Sequence, residues 1–511
     1  MLFRFKRYFV FAVLFALSFS SYATIKLPSL ISNNMVLQQN TKVALWGWAD
    51  AGEKIMITTS WNQKTITTTT DAGGKWITYV PTTKFGGPYS ITFKASNELK
   101  IENVLLGEVW LSSGQSNMEF FVGKTTNASY TGVINYQQEI KDADFPMIRQ
   151  LDVPNKVAEI PIDNFTSVWK ICSPQTVDSF SAVAYFFARS IYKSTGYPVG
   201  IINATWGGTP AESWTRKELL ENDKDFKAII ERYKQEVAEY PKTSAAYKTD
   251  LEQWKADTSK TKGAAPKQTI GPTSNKSPYK LYNGMIAPLI PFTLKGIIWY
   301  QGENNVERAF QYRRLFPTLI KSWRKDFKNE SLPFYFVQIS PHRSSNSELR
   351  EAQLLTYRSI PYTGIVVTTD NGDSLDIHPR NKKLVGERLA LWALHHQYGK
   401  KDLDFSGPLY RSMKKVGQKI EISFDFVDGG LVAKDGDLKE FTIAGDDQNF
   451  VPAQAVIQGD KIIVWSDAVK NPKAVRFAWK NVPKPNLFNK AGLPASPFRT
   501  DNWKGETEGK N

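Results

Sequence analysis

The sequence predicts an α/β protein: a three-layer α/β/α unit on a parallel sheet, flanked by β-sandwich-like units at both ends. Three observations predict it. Unbroken apolar runs of strand length recur through the middle of the chain, as strands buried on both faces require. Segments of helical length fall between them. Before about residue 106 and beyond about residue 404, the texture changes to short alternating runs set off by turn residues. The chain has 511 residues, more than one core normally holds, so two or three units are expected from length alone.

Residues 1–23 read as an export signal. Arg4, Lys6 and Arg7 precede an apolar run from Tyr8 to about Leu17, and Ser21-Tyr22-Ala23 supplies a small-x-small cleavage site. The expectation is an exported protein, periplasmic or secreted, cut near Ala23 and keeping no membrane span after cleavage. Residues 24–105 carry short runs at 54–59 and 65–69, with turn signals at Asp71-Ala72-Gly73-Gly74 and Gly86-Gly87-Pro88. They are read as an N-terminal β-sandwich unit. Residues 106–404 form the α/β unit, with strands expected at 104–111, 199–204, 294–300, 334–339 and 364–369. Helices are expected at 182–194 and 383–398. A stretch at about 216–275, rich in Lys, Glu and Ala and then in Lys, Thr, Gly and Pro, reads as a charged helical insertion followed by a loop. From 405 to 511 the alternation returns, most cleanly at 419–424 and 461–465, and predicts a C-terminal β-unit.

The formal charge of +15 falls to +12 without the three basic residues of the signal. The remaining Lys residues are dispersed, which fits a solvated basic surface able to attract acidic glycans. No motif supports nucleic-acid binding, and nothing sets an oligomeric state. The single cysteine, Cys172, permits no intrachain disulfide and lies in an apolar setting that fits a buried structural thiol. No metal-ligand cluster has sensible spacing, so neither metal nor cofactor is expected.

The strand expected at 104–111 runs into Gly114-Gln115-Ser116-Asn117-Met118-Glu119. A serine just past a buried strand sits where α/β enzymes place ligands, and such a turn can aim backbone N–H groups at an oxyanion. A serine nucleophile needs a base. Of the four histidines, His395 and His396 fall on a helix, where a structural role is expected. His342 follows the strand at 334–339 and is an alternative base. His378 follows the strand at 364–369 and has Asp376 two residues before it, able to orient an imidazole or only to shape a turn. Trp206-Gly207-Gly208-Thr209-Pro210 and Gln301-Gly302-Glu303-Asn304 end two further strands at the same edge and offer oxyanion donors.

Together these segments resemble the sialate O-acetylesterase family of the SGNH hydrolase superfamily. The resemblance extends to Asn203-Ala204-Thr205 ahead of Trp206, to Tyr282-Asn283-Gly284-Met285-Ile286-Ala287-Pro288-Leu289 and to Trp299-Tyr300 ahead of Gln301. It also reaches Met35-Val36-Leu37-Gln38-Gln39 and Asn486-Leu487-Phe488-Asn489, so it covers nearly the whole chain past the signal. It implies a cofactor-free serine esterase with an SGNH-type catalytic unit, Ser116 as nucleophile and His378 as general base. In its oxyanion hole the Ser116 N–H would be joined by Gly208 or Gly207 and by Gln301. The wider superfamily has Asp-x-x-His where this chain has Asp376-x-His378, so Asp376 is the least secure triad member. Asn117 is a candidate supporting residue, and Glu303 is expected to hold the strand end by hydrogen bonds. The implied substrate is a 9-O-acetylated sialic acid. The alternatives are acetylxylan or another O-acetylated polysaccharide and, from a different class, a non-catalytic glycan-binding protein.

Overall fold

The computed structural model describes residues 24–125, 130–259, 265–267 and 269–510. The export segment at 1–23 lies outside the described residues. Six strands open the fold: β1 (Val36–Gln38), β2 (Lys42–Trp48), β3 (Lys54–Thr59), β4 (Thr65–Thr69), β5 (Lys75–Pro81) and β6 (Gly86–Lys94). β2 pairs with β5, while β3 pairs with β4 and β6 in a second sheet. The alternation in β3 turns Ile55 and Ile57 inward and leaves Lys54, Met56 and Thr58 exposed, the period-two pattern of a strand with one wet face.

β7 (Glu98–Gly114) runs for 17 residues. Its first half alternates and pairs antiparallel with β6. From Val104 onward it is buried throughout and pairs in parallel with two strands of the central sheet. The chain therefore passes position 105, where its texture changes, within one unbroken strand.

The central sheet continues with β8 (Phe145–Asp152), β9 (Trp169–Cys172), β10 (Val199–Thr205), β11 (Gly296–Tyr300), β12 (Phe334–Val337) and β13 (Thr363–Val366). Its order is β13-β12-β11-β7-β10-β8-β9. The expected parallel sheet is corrected at one edge, where β9 runs antiparallel to β8. No helix lies between those two strands, and a parallel return would need a crossover of that kind. The helices are α1 (Ser116–Glu119), α2 (Tyr136–Lys141), α3 (Ala182–Thr195), α4 (Lys217–Asn222), α5 (Lys227–Ala256), α6 (Ala309–Asp326), α7 (Ser347–Ser359) and α8 (Lys382–Gln397). α3 packs on α8 and α6 on α7, which gives the two helical layers. In α3, Ser181 caps the N-terminus by accepting from the Ala184 N–H, and Gly196 ends the helix in the left-handed conformation.

Among the described residues, the charged stretch at 216–275 folds as α4, α5 and irregular chain. α5 buries only Ile229 and Ile230, so its first turns are anchored and the rest is solvated. One hydrophobic cluster runs unbroken from Val36, Leu45 and Ile57 to Trp110, Phe187 and Trp299. Ten short strands between Leu409 and Arg499 enclose a second cluster that includes Ile422, Val464 and Phe477. Among the described residues, no helix is long and apolar enough to cross a membrane.

Candidate active site

β7 is the switch point of the central sheet, with β10 on one side and β11 on the other. Sheets of this kind bind ligands in the crevice at the carboxyl ends of the strands beside such a point. At the end of β7, Gly114 has φ 137°, and a Cβ there would stand 2.2 Å from the Tyr300 carbonyl oxygen. Only glycine fits. The chain turns at once into α1, and Ser116 takes its first position, where a backbone N–H has no acceptor within the helix.

The Ser116 Oγ lies 2.8 Å from His378 Nε2, within hydrogen-bonding range. The other three histidines are engaged elsewhere. His342 pairs through Nδ1 with the Ser344 hydroxyl at 2.7 Å, and the rings of His395 and His396 pack on Phe405 and Trp392. Burial pushes the His378 imidazole down to about 4, with the nearby Lys382 charge adding to the effect and Asp376 opposing it.

Asp376 departs from the triad expectation. Its Oδ1 is 3.7 Å from His378 Nδ1, beyond a hydrogen bond, and accepts the His378 backbone N–H at 2.8 Å. The short Asp-x-His spacing is the cause: an Asp side chain readily turns onto the N–H two residues on. Asp376 thus shapes the turn and acts on the ring only as a nearby charge.

Two expected oxyanion donors have other partners in the structure. The Gly207 N–H donates to Glu119 Oε2 at 2.5 Å. Gln301 is fully buried, and its amide donates to Asn305 Oδ1 at 2.7 Å and the Thr209 carbonyl at 3.2 Å. Neither faces an oxyanion with a free proton. The N–H groups of Ser116 and Gly208 are not spent on hydrogen bonds among the described residues. Gly208 has φ 71°, and the space where a Cβ would stand is open.

Asn117 joins the two halves of the site. Its Nδ2 donates to Glu303 Oε1 at 2.6 Å and to the Ile377 carbonyl at 3.0 Å, one residue before His378. Its Oδ1 accepts from Lys382 Nζ. Lys382 is fully buried under Phe120, whose ring lies 4.7 Å from the ammonium, and burial pushes that ammonium down to about 7. Burial likewise raises the Glu303 carboxyl above the usual range. The strand-end role expected of Glu303 takes this form. Lys382 was missed, because a lysine beside Lys383 at a helix start reads as solvated.

Glu119 and Tyr130 also carry no signal in the sequence beyond the motif around Ser116. The Tyr130 ring lies against His378 with centroids 5.1 Å apart, and its hydroxyl donates to Glu119 Oε2 at 3.2 Å. Cys172 is remote from this chemistry. It is buried, and burial pushes its thiol up to about 12, which leaves it inert.

A serine and a histidine at the switch point of a three-layer sheet are the arrangement of a serine hydrolase, and the comparisons give its class as a carboxylic ester hydrolase of the carbohydrate-esterase kind. A family model described as "Carbohydrate esterase, sialic acid-specific acetylesterase" matches residues 106–265 and 249–395, and the chain belongs to that family. It is 29% identical to the sialate O-acetylesterase of Rattus norvegicus, over 93% of this chain and 94% of the relative. To the human sialate O-acetylesterase it is 28% identical, over 93% and 92%. A solved carbohydrate acetylesterase from Xanthomonas citri is 35% identical, with a TM-score of 0.79 over 94% of this chain and 100% of the other.

Proposed function

We propose that the protein removes O-acetyl groups from sialic acids, the 9-O-acetyl ester first among them, through an acetyl-Ser116 intermediate. The observation that carries this reading is the 2.8 Å contact between Ser116 Oγ and His378 Nε2 at the ligand-binding edge of the sheet. Ser116 attacks the acetyl carbonyl while His378 takes its proton at Nε2. The developing oxyanion is received by the N–H groups of Ser116 and Gly208. His378 then protonates the departing sugar oxygen, and a water activated by the same ring hydrolyses the acetyl-serine. Each oxyanion donor is worth on the order of 10²–10³ in rate.

The sialate substrate is supported by the family and by the printed names of the mammalian relatives. An O-acetylated polysaccharide is the second reading, since the similar solved structure is described only as a carbohydrate acetylesterase. Acetate release from a panel of 9-O-acetylated sialic acid, acetylated xylan and an aryl acetate decides between them. The proposal expects kcat/KM to be highest on the sialic acid ester. Faster turnover of xylan would move the assignment to the polysaccharide class. We also place the mature protein outside the cytoplasm, starting at Thr24. N-terminal sequencing of protein from the cell envelope tests this, and Met1 retained there would contradict it.

A further inference from the structure

The Trp206-Gly207-Gly208 loop leaves β10 beside the turn that holds Ser116. The Trp206 N–H donates to the Gly114 carbonyl at 3.1 Å, and Gly114 lies just before that turn. Two adjacent glycines are the most freely rotating backbone a chain offers. Gly208 stands at φ 71°, with nothing within 4 Å of where a Cβ would be, so side-chain packing does not fix it. An oxyanion donor has its full effect only when it is aimed in advance. The hold on this loop therefore has to come from hydrogen bonds to its backbone.

Two side chains make those bonds. Glu119 closes the short helix α1 that Ser116 opens, and its Oε2 accepts the Gly207 N–H at 2.5 Å. A Cβ on Gly207 would stand 3.1 Å from that oxygen and 2.6 Å from the Tyr130 hydroxyl, so the loop is seated against both. Tyr130 in turn donates to Glu119 and packs on the His378 ring. From the end of the inserted stretch, Asn275 Nδ2 donates to the Gly207 carbonyl at 3.1 Å. That carbonyl and the Gly208 N–H belong to one peptide unit. The unit is planar and trans, so its C=O and N–H point in opposite directions. Holding the carbonyl on Asn275 turns the Gly208 N–H the other way, and a flip of the peptide would break the bond.

We infer that Asn275 and Glu119 are positioning residues: they hold Gly207 by its carbonyl and its N–H, and so keep the Gly208 N–H aimed at the acetyl oxyanion. This rests on the acyl-transfer reading above and is independent of which acetylated sugar is the substrate. It gives the end of the 216–275 insertion a part in the chemistry. Neither side chain acts on the reacting atoms. Asn275 works through the plane of the Gly207-Gly208 peptide, and Glu119 through the N–H that precedes it.

Steady-state kinetics of the full chain on an aryl acetate, together with inhibition by trifluoroacetone, tests the inference. Ser116 Oγ adds to the ketone carbon, its proton passes to His378, and the carbonyl electron pair moves onto oxygen. The resulting hemiketal oxyanion occupies the same hole as the oxyanion of the reaction. Asn275→Ala and the isosteric Asn275→Asp, which cannot donate, should lower kcat by about ten- to a hundredfold, within the worth of the donor they aim. kcat/KM should fall by the same factor, as for a contact made only in the transition state, and the Ki of the ketone should rise in step. Glu119→Met should behave alike, and Glu119→Gln, which keeps an acceptor, should lose less. Asn275→Ala combined with Glu119→Met should lose little more than either alone, because both fix Gly207. A merely structural contact would shift the thermal melt and leave the Ki of the folded protein unmoved. Asn275 variants within about twofold of the wild-type kcat, a loss confined to KM, or an unchanged Ki beside a lower kcat would each overturn the clamp. If Ser116→Ala still released acetate, the proposed function would fail and the clamp with it. A dead Ser116→Ala beside undiminished Asn275 and Glu119 variants would overturn the clamp alone.

Discussion

His378 works from a largely dry setting, and this sets the pH range of the enzyme. With the imidazole held near 4 by burial instead of at its ordinary value of about 6.5, the ring stays neutral, and able to accept a proton, well into acid. The acid limb of kcat/KM should therefore centre near pH 4. A limb centred at 6.5 would show that the ring is better solvated than its surroundings imply. The same shift bears on stability: the unfolded chain binds the extra proton between about 6.5 and 4, so this group's contribution is full above 6.5 and is lost as the pH falls through that window. Lys382 helps hold the imidazole down. Lys382→Met removes that charge while keeping the bulk, and should move the acid limb to higher pH. Asp376 presents the opposite case. Its side chain is 53% exposed and 3.7 Å from the ring, so Asp376→Asn should cost less than about 10² in kcat, far below the roughly 10⁴ of a triad aspartate hydrogen-bonded to its histidine. A loss approaching 10⁴ would restore the full triad.

At the scale of elements, the turn between β7 and α1 carries the most constraint. Gly114→Ala would force a Cβ against the Tyr300 carbonyl at an unfavourable φ. Thermal melts should show a loss of at least about 1–3 kcal/mol, with activity falling as the Ser116 Oγ leaves its 2.8 Å contact. An unchanged melting curve would mean the turn is looser than its packing implies. How far the elements were legible in the chain follows from the same physics. β3, β10 and α3 announce themselves because each buries one face, or both, with a matching apolar period. β9 is four residues long and too short to show a period. The site was legible where Ser116 and Gly208 follow strand ends, and at His378 through the Asp376-x-His378 pair. It was not legible where the outcome depends on which acceptor takes a proton. Gly207 and Gln301 look free in the sequence and are claimed by Glu119 and Asn305 only once the chain is folded. Lys382 meets Asn117, and Tyr130 meets His378, through tertiary packing that no local pattern announces.

At the scale of the whole molecule, β7 makes the N-terminal β-unit and the central sheet one cooperative body. They share a strand and a continuous hydrophobic cluster, so a chain beginning at residue 106 would lose half of β7 and expose apolar surface on the rest. Expressed alone, residues 106–511 should be insoluble or lack a sharp melt; a well-folded, active fragment would show that the two are independent. The C-terminal unit has its own core but is fastened to α7 by Arg350, which is fully buried and donates to the carbonyls of Lys480 and Asn481. These units converge on holding one serine against one histidine. The direct test of that claim is kcat of Ser116→Ala on an aryl acetate and on 9-O-acetylated sialic acid, with the fold confirmed by melting. Activity should fall by about 10⁶, the scale found when a serine hydrolase loses its nucleophile, whereas a folded variant within about tenfold of the wild type would place the nucleophile elsewhere.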